Sequence, residues 1–585
     1  MNAWMDGLSV LTNEWRSVTV ILVFVFSCQS LTGLFLHRIL GGRLSRAEAL
    51  ALGLAGWAVP ATILSLIWYL TGFNWLIWIL PATLVLVFFP VRFKFKPRPA
   101  STSRSLFLLL FLILSILLRL AYVSQTTFPL YFDSAQHYSV TNIILSRNWS
   151  YLLDWLTASY YHTGFHFLTA FLASVSEAEI TRVMLILGQV ILATLPFSAF
   201  FLVRHETKSD AAGWFALLLS AFGWYMPAHA VDWGKYPALM SLGLIPFTLS
   251  LAYLLSRNKD LPDGKRRLLI VLLIACFLLS ILTHSRSSIV LGIVFLAWFT
   301  VTWLEKRSQR WMPIAFILVV IATIALAVLT TEQSILTLLF DPYLVKGILI
   351  TSLVLLLSIF AWMVHPRLTF VSVLAMTLLI ASLFIPVTWI PGYRDLSLLD
   401  RPFVEMILFL PLSLLGGLGL AGLTRKLQGR YMWGRYIGLL GGGIVVINAF
   451  FTYNPYPSDC CVIVGSDDVV AMDWMADQLP VEARIGIASA ELRVLQSESS
   501  EGDVGADAGI WITPLTGRVT IPLAYDTDFS RQATLERLCE MEIGYLFVGE
   551  AGQPFDTDKI KEHPEWYRPL LSMPKTGVYE VTGCD

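Results

Sequence analysis

The chain has 585 residues, of which 56% are hydrophobic and only 14% are charged. Soluble globular chains contain about 25% charged residues, so this composition excludes a lone soluble enzyme, a nucleic-acid-binding protein, a disordered chain and a small disulfide scaffold. The charges are unevenly distributed, because residues 454–585 hold 9 Lys and Arg against 23 Asp and Glu, and residues 1–453 hold 32 against 18. These counts predict a polytopic membrane protein with an acidic soluble tail.

A membrane-spanning helix needs about 20 predominantly apolar residues, and 14 segments of the sequence approach or exceed this length. They are 17–38, 47–70, 73–91, 104–123, 183–203, 211–228, 237–256, 268–283, 288–304, 311–330, 346–364, 368–388, 402–424 and 436–453. The first is not expected to be a cleaved signal peptide, since the second span follows almost at once. A further apolar stretch, 161–176, is shorter, and it can either cross the membrane or stay at its surface.

The basic connections between spans decide the orientation. They begin at Arg38, Arg92, Arg204, Arg257, Lys306 and Arg425. If 161–176 crosses, the last three face the side opposite the first two, whereas all six share one face if it re-enters or lies in the interface. Because basic loops face the cytoplasm, we predict the second arrangement, with 14 crossings and both termini outside the cytoplasm. A prokaryotic plasma membrane is the expected location.

Three regions follow along the chain. Residues 1–103 form N-terminal membrane helices, and 104–453 form a membrane core whose first outer loop is 124–182. Residues 454–585 are expected to form an extracytoplasmic α/β domain, because predicted strands alternate with predicted helices. The predicted strands are 460–465, 483–489, 543–549 and 577–582, the helices are 467–479 and 531–541, and 511–522 is a strand–turn–strand.

The tail holds Cys460, Cys461, Cys539 and Cys584. An even number of cysteines outside the cytoplasm permits disulfides. Cys460 and Cys461 would point to opposite faces of a strand, so each would need a different partner. Burial as small apolar side chains is the alternative.

The strongest chemical signal is the stretch Pro129–Val140. Asp133 and His137 are four residues apart, so a helix would place both on one face, directly after an apolar span. Ionisable residues at this depth are candidates for function. The structural alternative is that Asp133 caps the helix.

Two further outer connections carry candidates. Asp232 and Lys235 lie between two spans, where Lys235 can meet a phosphate as a point charge or simply pair with Asp232. His284 and Arg286 lie in a tight outer turn, where Arg286 can hold a lipid phosphate through its two-pronged guanidinium or anchor the helix at lipid head groups.

The fourth candidate region is Thr388–Met406, where Arg394 and Arg401 gather beside acidic residues and Pro391-Gly392 interrupts an apolar run. Arg401 either binds a phosphate or pairs with Glu405 one turn later, and Asp400 is positioned to cap the next helix. His162 and His166 share a helical face, which is typical of interfacial packing or of a metal pair. Arg518 in the tail is either an acceptor contact or part of an ordinary hairpin.

The order of a basic-flanked span, the motif Tyr-Phe-Asp-Ser-x-x-His-Tyr, an amphipathic stretch and many later spans resembles the GT-C superfamily of membrane glycosyltransferases. This superfamily includes protein O-mannosyltransferases, aminoarabinose transferases and the oligosaccharyltransferase catalytic subunit. The resemblance implies that Asp133 is the acid of the first outer loop, acting as general base or metal ligand, and that Asp232 is a second acid. It also implies phosphate contacts from Arg401, and in some members a divalent cation such as Mg or Mn.

The expected activity is therefore transfer of a sugar from a polyprenyl-phosphate donor to a lipid, glycan or protein acceptor on the extracytoplasmic face. His137, Lys235, His284, Arg286, Arg394 and Arg401 are the predicted substrate-binding residues. The tail lacks the Trp-Trp-Asp-Tyr-Gly motif associated with oligosaccharyltransferases, which disfavours transfer to asparagine. Competing hypotheses are a transporter or lipid flippase, and a non-catalytic membrane scaffold with a binding ectodomain.

Overall fold

The computed structural model describes residues 2–72, 100–147, 149–158, 161–307, 310–332, 336–387, 397–428, 436–491 and 503–584. Most of them are helical. The helices before residue 260 are α1 Asn2–Asn13, α2 Trp15–Leu40, α3 Arg46–Gly56, α4 Ala58–Thr71, α5 Ala100–Leu120, α6 Asp133–Leu145, α7 Trp149–Ala158, α8 Gly164–Ser176, α9 Ile180–Thr194, α10 Phe197–Thr207, α11 Asp210–Phe222 and α12 Tyr236–Arg257. Those that follow, up to the tail, are α13 Asp263–Thr283, α14 Arg286–Arg307, α15 Met312–Glu332, α16 Ile348–Val364, α17 Pro366–Ala381, α18 Arg401–Ile407, α19 Phe409–Gln428 and α20 Ile437–Thr452.

Within these described ranges, nine helical segments are long and apolar enough to cross a membrane, and two bent pairs raise this number to 11. The bends are 42° between α3 and α4, and 85° between Thr337–Val345 and α16. The chain is therefore an integral membrane protein. The predicted spans 211–228 and 436–453 correspond to the shorter helices α11 and α20, and 73–91 lies outside the described residues, so the count of 14 crossings stays a prediction.

The chain divides into two compact units. The helical unit comprises Met1–Gln125, Ile143–Ala230 and Tyr236–Tyr456. The tail unit comprises Pro457–Asp585 together with two short segments from between the spans, Thr126–Asn142 and Val231–Lys235. The tail domain therefore includes two segments that precede the predicted boundary at 454, because these connections fold with the tail rather than with the helices they join.

One end of the helical unit is held by a network of ion pairs. Arg43 makes a two-pronged pair with Asp260 at 2.7 and 2.8 Å, and Arg204 lies 2.7 Å from both Glu48 and Asp210. The network continues with Arg104–Asp210 at 2.9 Å, Arg257–Glu206 at 2.5 Å and Arg367–Glu305 at 3.5 Å. We call this the basic end. It gathers residues from four of the six predicted basic connections.

Helix α8 occupies the opposite end of the helical unit. Near its N-terminus, the His162 ring lies 4.4 Å from the ring of His284. Helix α13 starts at the basic end, and His284 directly follows its other end. At its C-terminus, Glu177 pairs with Arg16 at 2.6 Å. Arg16 lies in the first turn of α2, whose other end at Leu40 is three residues before Arg43. Both ends of α8 thus lie away from the basic end, which is the arrangement required if 161–176 does not cross.

The tail unit is built on a mixed six-stranded sheet. Its strands are β1 Arg484–Glu491, β2 Asp503–Gly505, β3 Val519–Ala524, β4 Tyr545–Val548, β5 Tyr567–Ser572 and β6 Gly577–Val581. β1 pairs in parallel with β3 and β4, and β6 pairs antiparallel with β4 and β5. Its helices are α21 Ser466–Gln478, α22 Ile512–Thr516, α23 Gln532–Glu540 and α24 Thr557–Lys561.

Alternation along β1 gives the sheet two covered faces. Ile485 and Ile487 pack with Met472 of α21, whereas Ala488 packs on the other side with Leu535 and Leu538 of α23. Because successive side chains of a strand point to opposite faces, one strand contributes to both cores. The α/β prediction for the tail is confirmed at the level of this small sheet with helices on both faces.

Several predictions for the tail are wrong in detail. Residues 460–465 contain a 3-10 turn at Asp459–Cys461 and no strand, and the first half of 511–522 is the helix α22. Because Cys460 and Cys461 lie in a turn, their side chains are not directed to opposite faces, and they bond to each other. Cys539 bonds to Cys584 across 45 residues.

Candidate active site

In the tail unit, the carboxylate of Asp133 pairs with the ammonium of Lys235. The two residues lie 102 positions apart, Asp133 as the first residue of α6 and Lys235 just before α12. Their side chains are 18% and 28% exposed, so the pair is partly shielded and still open to solvent. The structure thus pairs Lys235 with Asp133 and not with Asp232.

A glycine allows the two segments to meet. Gly234 has φ of +64°, a left-handed conformation that side chains other than glycine seldom adopt. A Cβ at this position would lie 2.4 Å from Oγ of Ser134 and 2.8 Å from the carbonyl oxygen of Leu130. The backbone of 231–235 therefore rests directly on the turn that begins α6, and this contact positions Lys235.

Asp232 is held differently, because it is only 5% exposed and accepts a hydrogen bond of 2.7 Å from the Ser458 hydroxyl. Ser458 belongs to the turn that carries the bonded Cys460 and Cys461, and the Tyr131 amide donates to the Cys461 carbonyl at 3.1 Å. Asp232 thus ties this turn to the inter-span segment, which is a structural task for a residue predicted to be catalytic.

The beginning of α6 is anchored on the tail core. The rings of Phe128 and Tyr138 lie 4.9 and 5.7 Å from the Trp511 ring, and Ala135 is buried in the same cluster. His137, predicted to share a face with Asp133, is 1% exposed. Since Asp133 is open to solvent and His137 is enclosed, His137 is placed to support α6 rather than to contact a substrate.

In the helical unit, a second group forms at the end opposite the basic end. His284 stacks on Phe403 at 4.8 Å between ring centroids and lies beside His162, and Arg286 pairs with Asp400 at 2.7 Å. We call this group, His162, His284, Arg286, Asp400 and Phe403, the histidine end. It brings together three connections that are far apart in sequence.

At the histidine end, the contacts of Asp400, Arg401 and Glu405 show which of the alternatives predicted for them the structure has. Asp400 accepts a hydrogen bond of 3.1 Å from the Phe403 amide, so it caps α18 as well as holding Arg286. Arg401 makes no ion pair with Glu405 or with any other described carboxylate. Glu405 is 4% exposed. The capping alternative for Asp400 is confirmed, and the Arg401–Glu405 pair is wrong. Arg394 lies outside the described residues.

Burial governs the protonation of His162. Removal from water, assisted by the positive charge of Arg286, lowers the pKa of His162 to about 4, because both disfavour the charged imidazolium. The Nε2 atom of His162 is buried and has no hydrogen-bond partner among the described residues. His162 is therefore a neutral ring at neutral pH.

The N-terminal and central parts of the chain, residues 22–344, match the model of DUF6541, a family of unknown function. The chain belongs to DUF6541. The search of curated proteins gave no match. Asp133, Asp232, Lys235, His284 and Arg286 all lie within the part shared with DUF6541.

The C-terminal part of this DUF6541 chain, with Arg401 and most of the tail unit, lies beyond the matched residues. One tail candidate there has a structural role. Arg518 is 8% exposed and donates to the carbonyl oxygens of Ala476 and Leu479 at 2.6 and 2.8 Å. It thus closes the C-terminus of α21, where orphan carbonyls need donors, so it is neither an acceptor contact nor a simple hairpin residue.

The divalent cation expected from the resemblance does not fit the carboxylates present in this DUF6541 chain. Mg and Mn prefer several oxygen ligands, yet Asp133 already carries the Lys235 ammonium and Asp232 is engaged by Ser458. Over the described ranges, neither unit by itself gathers three His, Cys, Asp or Glu ligands closely enough to hold a metal. No chemical step is therefore assigned to a metal.

The sequence did not indicate several residues that support the candidate sites, because they are recognised only by their contacts in the folded structure. Phe403 supports His284, and Trp511 anchors α6, but isolated aromatic residues in an aromatic-rich chain carry no signal. Tyr343 donates to the Glu405 carbonyl oxygen at 2.6 Å and thereby brings Lys346 to the same part of the helical unit. Gly234 is followed by Lys-Tyr-Pro, a pattern that predicts a turn but not the contact with the start of α6.

Proposed function

We propose that this protein is an integral-membrane glycosyltransferase of the GT-C type. It moves a sugar from a polyprenyl-phosphate donor to an acceptor hydroxyl at the extracytoplasmic face of a prokaryotic plasma membrane. Asp133 is the general base. The observation that carries the proposal is the Asp133–Lys235 pair, in which a partly exposed carboxylate is held in place by a cation from a distant loop.

The geometry of this pair suits a base. Lys235 contacts Oδ2 of Asp133, and no described residue donates a hydrogen bond to Oδ1. Oδ1 can then accept a proton from a hydroxyl that enters from solvent, which is the task of a general base.

The proposed reaction balances as a single displacement. The acceptor oxygen forms a bond to the anomeric carbon of the sugar while its proton passes to Asp133. The bond between the anomeric carbon and the phosphate oxygen breaks, and polyprenyl phosphate leaves with the electron pair. Direct attack inverts the anomeric configuration, and the charge that develops on the sugar resembles that in glycoside hydrolysis.

Cations are required for a leaving phosphate, and within the helical unit the arginines of and beside the histidine end are the candidates for that role. Arg401 makes no direct ion pair with a described carboxylate, although its charge acts on Glu405 in the same helix, so its guanidinium donors can meet an anion. Arg286 keeps donors beyond the one that pairs with Asp400, because a guanidinium has five N–H groups. His284 precedes Arg286 by two residues and is held by Phe403.

The position of the candidates within their helices favours a transferase over a transporter. Asp133, Arg286 and Arg401 are each the first residue of a helix, whereas Lys235 precedes one and His284 follows one. Transporters place substrate sites near the middle of the bilayer at broken helices. The described breaks, near Trp57 and Lys346, carry none of the predicted site residues.

The decisive experiment measures transfer by the purified protein in lipid, with radiolabelled polyprenyl-phosphate sugars and extracted acceptors. Asp133→Asn is expected to reduce transfer by a factor of about 10² to 10⁴, the usual contribution of a general base. Asp526→Asn, a matched change at an exposed position of the tail unit, is expected to leave transfer unchanged. Equal transfer by both variants would remove Asp133 from the mechanism.

The same preparations separate the competing functions. Absence of transfer with every donor, combined with movement of labelled lipid between leaflets, would identify a flippase. Absence of both would leave a scaffold. Single cysteines at positions 133 and 401, labelled with an impermeant reagent, provide an independent check, because labelling from opposite sides of the membrane would exclude a common substrate.

A further inference from the structure

A second feature of the helical unit lies away from the histidine end. Helices α10, α12, α14, α17 and α19 enclose an apolar cavity that, counted with its open mouth, contains about 700 Å³ of empty space. Leu249, Val294 and Leu414 are among its walls, and the lining residues that carry a polar side-chain atom are Tyr253, Trp298 and Ser372. Such a cavity suits a hydrocarbon chain and excludes a sugar.

The cavity lies just inside the basic end. Tyr253 precedes Arg257 by four residues and Leu249 precedes it by eight, which corresponds to about 6 and 12 Å along a helix. Leu368, at the start of α17, also lines the cavity and follows Arg367 directly. The apolar space therefore begins one turn below a layer of charge, as the acyl region of a leaflet begins below its head groups.

Two arginines mark the rim of the cavity. The guanidinium of Arg367 lies 4.4 Å from the centroid of the Trp298 ring, and that of Arg257 lies 5.6 Å from the Tyr253 ring. Both rings line the cavity. The two arginine side chains are 30% and 45% exposed, so each is fixed over a wall residue and keeps donors open to the surroundings.

The carboxylates nearby leave these arginines with capacity for a further anion. Arg367 is 3.5 Å from Glu305 and donates to the Thr302 hydroxyl at 2.9 Å. Arg257 directs one terminal nitrogen to both oxygens of Glu206. Each guanidinium has five N–H groups in a fork that matches phosphate, so several donors remain.

We propose that this cavity holds one acyl chain of an anionic glycerophospholipid and that Arg367 and Arg257 bind its phosphate. Charge complementarity identifies the occupant, because a cationic rim above an apolar cavity matches an anionic head on a hydrocarbon chain. Anionic lipids are attracted to cationic residues at the cytoplasmic surface, the side that the positive-inside rule assigns to the basic end. This site is independent of the proposed glycosyl transfer.

The test uses the full-length protein in mild detergent. The protein is incubated with equal amounts of phosphatidylglycerol and phosphatidylcholine that carry identical chains, and the lipid that remains after washing is quantified by mass spectrometry. Phosphatidylglycerol is expected to be retained at least about tenfold over phosphatidylcholine, since several charge-assisted bonds distinguish the heads. Equal retention of the two lipids would overturn the proposal.

Matched variants locate the site. Arg367→Gln is expected to lower phosphatidylglycerol retention about tenfold, whereas Arg310→Gln, which removes an exposed charge outside the rim, is expected to have no effect. Ser372→Leu fills the cavity and should also reduce retention, in contrast to Ser358→Leu on α16. Retention that is insensitive to both Arg367→Gln and Ser372→Leu would place the lipid elsewhere and refute the proposal.

Two further experiments with the wild-type protein identify the lipid in the cavity. Polyprenyl phosphate at equal concentration should not displace phosphatidylglycerol, and displacement would show that the cavity takes the lipid carrier instead. A phosphatidylglycerol with a photoreactive group on its acyl chain should crosslink to peptides of α12, α14 or α17 in the wild-type protein. Crosslinks confined to other helices would contradict the assignment.

Discussion

Carboxylates at the basic end and at the start of α6 are both paired with cations, but they are used differently. Glu48 is 4% exposed and is contacted by Arg204 and His205 at 2.7 and 2.9 Å, and it also accepts from the Ser45 amide and hydroxyl at 2.8 Å. Asp133 has Lys235 on Oδ2, no described residue donates to its Oδ1, and its side chain is 18% exposed.

The comparison shows that an ion pair alone does not indicate function. A carboxylate whose oxygens are all occupied fixes helices in place and has no lone pair left for a substrate. A carboxylate with one cation, and with a second oxygen that accepts from no described residue, has a lone pair left for a substrate. The number of donors around each acid, rather than the presence of a cation, separates structural pairs from candidate catalytic ones.

The strongest test of this difference between the two carboxylates is to remove a cation from the basic end. Arg204→Met would leave the buried Glu48 without its guanidinium partner, and breaking a buried pair costs about 3–5 kcal/mol. We expect a correspondingly large loss of thermal stability, measured by the unfolding of the full-length protein in detergent. Asp133→Asn serves as the contrast and is expected to change stability by less than about 1 kcal/mol. Similar losses for the two variants would contradict the distinction.

Asp507 represents a third kind of carboxylate, buried and without a cation among the described residues, and its effect on stability can be followed by changing the pH. Asp507 in the tail unit is fully buried and accepts from the Gly509 and Gly549 amides at 2.9 and 3.0 Å. Burial raises the pKa of Asp507 to about 7. The folded state therefore holds a proton that the unfolded chain has already lost above pH of about 4.

This raised pKa has a defined consequence for stability. Between pH of about 4 and about 7 the folded tail binds more protons than the unfolded chain, so Asp507 makes the tail less stable as the pH rises, by up to about 1.4 kcal/mol per pH unit. Hydrogen exchange of β4 peptides in the full-length protein, corrected for intrinsic rates, measures this slope. Asp507→Asn should flatten it, and an unchanged slope in that variant would assign the titration to another group such as Asp468.

The smallest effect is expected from Gly234→Ala. The new Cβ would meet Ser134 and Leu130 at 2.4 and 2.8 Å in a conformation that is strained for alanine, at a cost of about 1–3 kcal/mol. Because the strain separates Lys235 from Asp133, we expect the rate of glycosyl transfer to fall by a larger factor than the equilibrium constant for folding. Gly264→Ala, where a Cβ meets nothing within 4 Å, is the control. Normal transfer by Gly234→Ala would show that the close approach is dispensable.

Part of the candidate site could be predicted because chemistry-bearing residues are rare in an apolar chain. Asp133, Lys235, Arg286 and Asp400 were recognisable from their positions after apolar spans, and they form two ion pairs. Their pairing was not predictable, since Lys235 lies three residues from Asp232 yet contacts Asp133. Local spacing favours the near partner, whereas the left-handed turn at Gly234 directs the lysine to the distant one.

The tail shows the same division. The sequence predicted the strands β1, β4 and β6 and the helices α21 and α23, because short apolar runs and helix-end signals depend on neighbouring residues in the chain. The bonded pair Cys460–Cys461 and the helix α22 were mispredicted, because short apolar runs fit a strand or a turn equally well. Burial of Trp511 against Phe128 and Tyr138 decides the second case.

By itself, the amino-acid sequence determined that this protein lies in a membrane, where its apolar segments fall and that its tail alternates strands with helices. These properties follow from the cost of exposing apolar groups to water and of leaving backbone groups unbonded in lipid, which any local window records. Only the tertiary structure decided that two inter-span segments fold with the tail, that α8 returns to its own end of the helical unit, and which acids keep an open oxygen. Those features depend on contacts between residues more than 100 positions apart, and no local pattern encodes them.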